Sequence, residues 1–169
     1  MKIDVLYFDE FELADRALNL LPVSTRPAWR NLCCSLKAAG TNARVYGSYG
    51  WQLLSGLGYV HAKSDFDLLL AVQDRDQADA LVALLQAEAP TALRVDGELL
   101  FPDGAAVAWR EYASWRAGLT RELLVKKLDS VALEPGVGLA REAGLVTTCA
   151  APVAPVWVRT TERSTELAQ

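Results

Sequence analysis

Residues 65–72 read Asp-Phe-Asp-Leu-Leu-Leu-Ala-Val, two acids set directly against an apolar run. A short continuous apolar stretch of this kind reads as a buried strand. Side chains two apart on a strand share a face, so Asp65 and Asp67 are expected to project together from its head. Most Asp-x-Asp pairs are solvated turn acids, but here the apolar run ties the pair to a core. Two like charges held that close repel each other unless a cation lies between them. An oxygen-only pair suits a hard divalent ion such as Mg²⁺, its shell completed by substrate phosphates and water.

Upstream, Ala43 to Tyr46 reads as a short strand and Tyr49 to Ser55 as a helix, with Gly47-Ser48 at the corner between them. A glycine after a strand lets backbone approach a ligand, and a serine at a helix start sets a hydroxyl beside free N–H groups. Such a corner suits a phosphate. A third carboxylate completes a two-metal cluster for in-line phosphoryl or nucleotidyl transfer. Asp96 is the first candidate, on a strand before a turn; Glu98 shares its face, and Glu111 is expected on the return strand. Arg110 and Lys126 are candidates for neutralising phosphate charge, with Arg121 and Lys127 nearby in sequence. His61, the single histidine, precedes the acids in a loop and has no partners for a nucleophilic triad. The five tryptophans are read as packing residues.

The remaining pattern places these pieces. Trp29, Leu32, Leu36 and Ala39 fall at helical spacing, which predicts a helix over Pro27 to Ala39. Asp74 caps a second, with Ala78, Leu81, Val82 and Leu85 on one face and Pro90 as its stop. Leu93 to Phe101 and Ala105 to Tyr112 read as strands joined through Pro102-Asp103-Gly104. Thr120 to Lys127 fits strand or helix. The order implies an α/β (α+β) domain, a small mixed sheet flanked by helices. Residues 1–42 are expected to be a helical N-terminal segment, 43–132 the core and 133–169 an extension ending in a loosely attached tail.

Charge and cysteine usage exclude other classes. With 17 basic and 21 acidic residues the net charge is −4, which argues against a protein that coats nucleic acid. No apolar run reaches the roughly 18 residues needed to span a bilayer. Met1-Lys2-Ile3-Asp4, followed by Asp9 and Glu10, does not read as a secretory signal, so a cytoplasmic location is expected. Cys33, Cys34 and Cys149 have neither disulfide-framework nor metal-ligand spacing and are read as buried or free thiols.

Gly-Ser, a helix, then Asp-x-Asp on a strand resembles the nucleotidyltransferase superfamily. More closely, Arg44-Val45-Tyr46-Gly47-Ser48-Tyr49-Gly50-Trp51 and His61-Ala62-Lys63-Ser64-Asp65-Phe66-Asp67 resemble the malonate decarboxylase holo-acyl-carrier-protein synthases, the phosphoribosyl-dephospho-CoA transferases. Asp96, Pro102-Asp103-Gly104, Arg110-Glu111-Tyr112 and Leu124-Val125-Lys126 are similar to the rest of that pattern in order and spacing. The resemblance covers Ala43 to Ser130. It implies a triphosphoribosyl-dephospho-CoA donor and, as acceptor, a serine of the apo acyl-carrier subunit of malonate decarboxylase, joined by a phosphodiester with release of pyrophosphate. It implies Mg²⁺ held by Asp65, Asp67 and Asp96, phosphates cradled by Gly47 and Ser48, and charge stabilised by Lys126 and Arg110. Other readings are another nucleotidyltransferase, the related citrate lyase synthase included, or an inactive scaffold that binds a carrier protein.

Overall fold

A computed structural model of the chain describes residues 11–135, together with the backbone of two short segments, Leu6–Tyr7 and Pro155–Val156. In chain order the strands are β1 (Leu6–Tyr7), β2 (Glu12–Leu13), β3 (Arg44–Val45), β4 (Phe66–Ala71), β5 (Val95–Leu100), β6 (Ala106–Ala108), β7 (Leu123–Lys126), β8 (Val131–Glu134) and β9 (Pro155–Val156). The α-helices are α1 (Arg26–Ala38), α2 (Gly47–Ser55), α3 (Arg75–Glu88) and α4 (Trp109–Arg116). Short 3₁₀ helices span Ala14–Leu20 and Val23–Thr25. The fold is α/β: β2 to β8 form one mixed seven-stranded sheet in which spatial order follows chain order. Neighbours are antiparallel except β4 and β5, which run parallel and are joined by α3. β1 and β9 pair antiparallel with each other.

Period-two alternation divides the side chains of this sheet between two faces. Phe66, Leu68 and Leu70 of β4, Val95 and Leu99 of β5, Val107 of β6 and Leu123 and Val125 of β7 enter the main core with the buried faces of α1, α3 and α4. Full burial of each large side chain contributes roughly 1.5–3 kcal/mol. Phe66 is its hub, with ring centroids 4.2 Å from Trp29 of α1 and 4.5 Å from Tyr49 of α2. The Trp29 indole N–H donates to the Ala14 carbonyl at 3.1 Å, so the first 3₁₀ helix is locked onto α1 without an orphaned donor. On the opposite face lies a smaller apolar patch of Phe11, Leu69, Leu100 and Ala106, with Tyr46 and Ala71 packed against it.

The helices follow from their sequences. In α3 the Asp74 carboxylate accepts the Gln77 N–H at 2.8 Å, and Ala78, Leu81, Val82 and Leu85 are buried at helical spacing. α2 ends at Gly56 in the left-handed conformation (φ +70°), a normal helix C-cap. Asp79 of α3 accepts from the Tyr112 hydroxyl at 3.0 Å and from the Arg116 guanidinium, so α4 is held to α3 by charge-assisted bonds.

The helix over Pro27–Ala39 is found at Arg26–Ala38, and the hairpin at 102–104 is closed by the Phe101 N–H to Ala105 carbonyl bond at 2.8 Å. The ambiguous stretch 120–127 resolves as strand β7. The return strand differs from expectation. It stops at Ala108, and Trp109–Arg116 is helix α4. Trp109 and Tyr112 are buried one helical turn apart, and that 3.6-residue spacing outcompetes strand alternation. Helix α2 begins at Gly47, two residues earlier than expected. Cys33 and Cys34 are free; burial foremost pushes the Cys33 thiol up to about 12, with the nearby Asp15 and Cys34 charges adding to it. Cys149 and, apart from β9, the expected tail lie outside the described residues. Among the described residues, no helix is long and apolar enough to cross a membrane.

Candidate active site

The beginnings of β4 and β5, the end of β3 and the N-terminus of α2 meet at the same end of the sheet. β3 runs into Tyr46, and α2 starts at Gly47. The Tyr46 N–H donates to the Asp67 carbonyl at 3.0 Å, which fixes that corner against β4. Gly47 has φ +61°, and a Cβ there would lie 2.0 Å from Asp67 Oδ2. The contact therefore demands glycine for two reasons: the backbone is left-handed, and the carboxylate occupies the space of a side chain. Ser48 follows as the second residue of α2 and is partly exposed.

Asp67 is opposite Asp96 in the parallel register of β4 and β5. The strands come close at the next residue: a Cβ on Gly97 (φ +139°) would lie 2.0 Å from the Leu68 carbonyl oxygen. The Asp96 carboxylate is steadied by the Gly97 N–H at 2.9 Å. Asp65, one residue before β4, lies across from Arg94, whose carbonyl accepts the Phe66 N–H at 2.8 Å. The Arg94 guanidinium bridges two of the acids, with one nitrogen 3.4 Å from Asp65 and the other 3.6 Å from Asp96.

This crowding shifts the acidity of the groups it brings together. Burial, then the charges of Asp96 and Asp65, push the Asp67 carboxyl up to about 6, while the Arg94 charge pulls the other way. Burial also pushes the Tyr46 phenol far up, with Glu98, Asp67 and Asp96 adding to it, so Tyr46 stays a neutral hydroxyl among the acids. Glu98 is on the face of Asp96, as its spacing predicts, and pairs with Lys126 of β7 at 2.5 Å. Among the described residues no three His, Cys, Asp or Glu side chains are gathered closely enough to hold a metal ion on their own. The carboxylates that could contribute ligands to one at this corner are Asp65, Asp67 and Asp96.

The other expected residues are placed elsewhere. Glu111 is exposed in the first turn of α4 rather than on a strand beside Asp96, because the strand ends before it. Arg110 is also on α4. Its guanidinium donates to the Val95 carbonyl at 2.8 Å and lies over the Trp109 ring at 4.3 Å. With Arg94, Pro90, Leu93 and Leu119 it lines a groove of about 710 Å³ that adjoins the acids through Arg94. His61 is held by Ser64 in the loop before Asp65. Arg94 and Tyr46 are the site residues that sequence reasoning did not single out. The signal for Arg94 was available: Arg94-Val95-Asp96 repeats the spacing of Asp65-Phe66-Asp67, which sets its side chain on the face of Asp96.

The family model described as phosphoribosyl-dephospho-CoA transferase MdcG C-terminal domain matches residues 12–136. A phosphoribosyl-dephospho-CoA transferase of Xanthomonas euvesicatoria pv. vesicatoria is 44% identical over 119 residues, 70% of this chain and 54% of that protein. One from Xanthomonas campestris pv. campestris is 46% identical over 121 residues, 69% of this chain and 55% of its own length. One from Bradyrhizobium diazoefficiens is 46% identical over 93 residues, 54% of this chain and 39% of that protein. The chain thus spans about half the length of the curated relatives it matches. No solved structure matches it. On the extent of the family match, the chain belongs to the phosphoribosyl-dephospho-CoA transferase MdcG C-terminal domain family.

Proposed function

We propose that the chain carries the reacting centre of a phosphoribosyl-dephospho-CoA transferase. The donor is triphosphoribosyl-dephospho-CoA, and the acceptor is a serine hydroxyl on the acyl-carrier subunit of malonate decarboxylase. The serine oxygen forms a bond to the phosphorus attached to the ribose, the bond from that phosphorus to pyrophosphate breaks, and the serine proton passes to a carboxylate. The observation that supports this reading best is the crowding of Asp67 against Gly47 with Asp65 and Asp96 alongside. A carboxyl pushed up to about 6 by burial and its neighbours is a group built to be relieved by a cation.

Mg²⁺ fits these residues, because it is usually held by one or two carboxylates and completed by substrate phosphates. Asp65 and Asp67 would hold it, and Asp96, opposite Asp67 on β5, would feel its charge. When bound it would supply charge neutralisation on the triphosphate and the departing pyrophosphate. The chain's own groups do the rest. The N–H groups at the start of α2, Gly47 and Ser48 among them, face an anion with the favourable end of the helix dipole. Asp96, held on one oxygen by the Gly97 N–H, accepts the serine proton. Lys126, on the same sheet face through its pair with Glu98, and Arg110, on the groove side, supply positive charge for the transferring phosphoryl group.

The test mixes the protein with apo carrier, donor and Mg²⁺ and weighs the carrier by mass spectrometry. The expected result is a gain equal to one phosphoribosyl-dephospho-CoA group. An unchanged carrier, with ATP consumed on some other acceptor when ATP is supplied in place of the donor, overturns the proposal in favour of a different nucleotidyl transfer.

A further inference from the structure

We infer that Arg94 is the resident counter-ion of the acidic corner: it competes with the incoming divalent cation for Asp65 and Asp96 and, once displaced, holds the polyphosphate from the groove side. The inference rests on the proposed metal–phosphate chemistry and adds to it a residue and an exchange of charges.

The geometry is that of an occupant that can leave. Each guanidinium nitrogen reaches a different carboxylate, at 3.4 and 3.6 Å, longer than the roughly 2.7–2.9 Å of a tight charge-assisted bond. The Arg94 side chain is 65% exposed, so water screens the pair and holds it weakly. Its backbone is fixed, since its carbonyl accepts the Phe66 N–H, and only the side chain has to swing. A divalent cation offers the acids a stronger partner than one screened guanidinium, so the pair is open to exchange. A dication seated on Asp65 and Asp67, beside Asp96, takes one of the two acids that Arg94 bridges and repels its guanidinium.

The displaced side chain has a destination. Arg94 already lines the groove of about 710 Å³, as does Arg110, and the two flank Val95. Arg110 is immobilised by the Val95 carbonyl and the Trp109 ring, so the groove keeps a fixed positive charge beside a movable one. Two guanidiniums at one rim suit an oxyanion with several phosphate oxygens. That is the class of the donor's triphosphate and of the pyrophosphate that leaves.

Titration of the whole chain with Mn²⁺, followed by the EPR signal of the free ion, separates the two roles. Arg94→Gln is expected to bind Mn²⁺ alone about two- to fivefold more tightly than the wild type, the scale of one exposed ion pair. In saturating Mn²⁺ the same variant is expected to bind inorganic triphosphate about tenfold more weakly, the scale of one charge-assisted contact. Arg94→Lys keeps the charge but cannot bridge two acids, so it should tighten Mn²⁺ while largely retaining triphosphate affinity; it also serves where Arg94→Gln fails to fold. A residue with a merely structural role does not move the two affinities in opposite directions. Mn²⁺ binding that Asp67→Asn abolishes but both Arg94 variants leave unchanged or weaken overturns the inference alone. No Mn²⁺ binding by wild type or variants, with or without triphosphate, overturns the metal–phosphate reading and the inference with it.

Discussion

The two faces of the sheet are made by the same strands and have opposite chemistry. On one face Phe66, Leu68, Val95 and Leu99 are sealed under helices with essentially no exposure. On the other, the alternate positions Asp67, Asp96, Glu98 and Lys126 put charge on half-buried backbone, beside a small apolar patch. The first face supplies stability. The second keeps like charges close, which costs stability and is tolerable because the first holds the strands in register. The lesson is that the rigidity of the site is borrowed from the residue between the acids: Phe66 is packed against Trp29 and Tyr49 while Asp65 and Asp67 stand on either side of it.

That contrast can be broken from either face. The largest effect is expected for Asp65→Asn and Asp67→Asn: transfer to the carrier should fall about 10³-fold or more, while circular dichroism stays near wild type and the unfolding midpoint does not fall. Loss of folded signal in both variants would show that the acids belong to the scaffold. Phe66→Ala should do the reverse in kind, with a loss of about 3–5 kcal/mol in denaturant unfolding as a large buried ring is removed. Gly47→Ala tests the join between the faces. A left-handed backbone and a Cβ placed 2.0 Å from Asp67 Oδ2 should cost about 1–2 kcal/mol and, by moving the carboxylate, about 10²-fold in turnover. Turnover unchanged with stability reduced would separate the glycine from the chemistry.

The smallest effect is one of pH and sharpens the comparison. The Asp67 carboxyl is raised in the fold from 3.8 to about 6, so between those values the native state binds more proton than the unfolded chain. Stability from this group is therefore fully present below about pH 4 and is lost as the pH rises through about 6. Asp67→Asn should remove that loss, and at pH 7 the variant should be more stable by about 1 kcal/mol after allowing for solvent screening. Urea unfolding at pH 4.5 and pH 7 in chelator measures it; an Asn variant less stable at pH 7 contradicts the crowding.

Much of this was legible in the sequence where it depends on spacing along a strand or helix. The acids at 65 and 67, the apolar positions of α1 and α3, the hairpin at 102–104 and the shared face of Asp96 and Glu98 are all local patterns with a fixed period. Legibility failed where two periods competed or where a neighbour came from far along the chain. Residues 105–112 fit alternation for a few positions, yet the buried pair Trp109 and Tyr112 made a helix and carried Glu111 away from Asp96. Tyr46 came to the acids through the antiparallel pairing of β3 with β4, and Arg94 reached Asp65 through the parallel pairing of β4 with β5.

By itself the sequence determined which residues carry charge, which are apolar and how each set repeats, and hence that a buried strand would present Asp65 and Asp67 side by side. Only the tertiary structure decided that Asp67 would lie across from Asp96, that Gly47 would close on it and that Arg94 would bridge its neighbours. Those contacts depend on strand register, and a slip of one residue turns every side chain of a strand to the other face. Register is set by the whole core packing at once, not by any segment read alone.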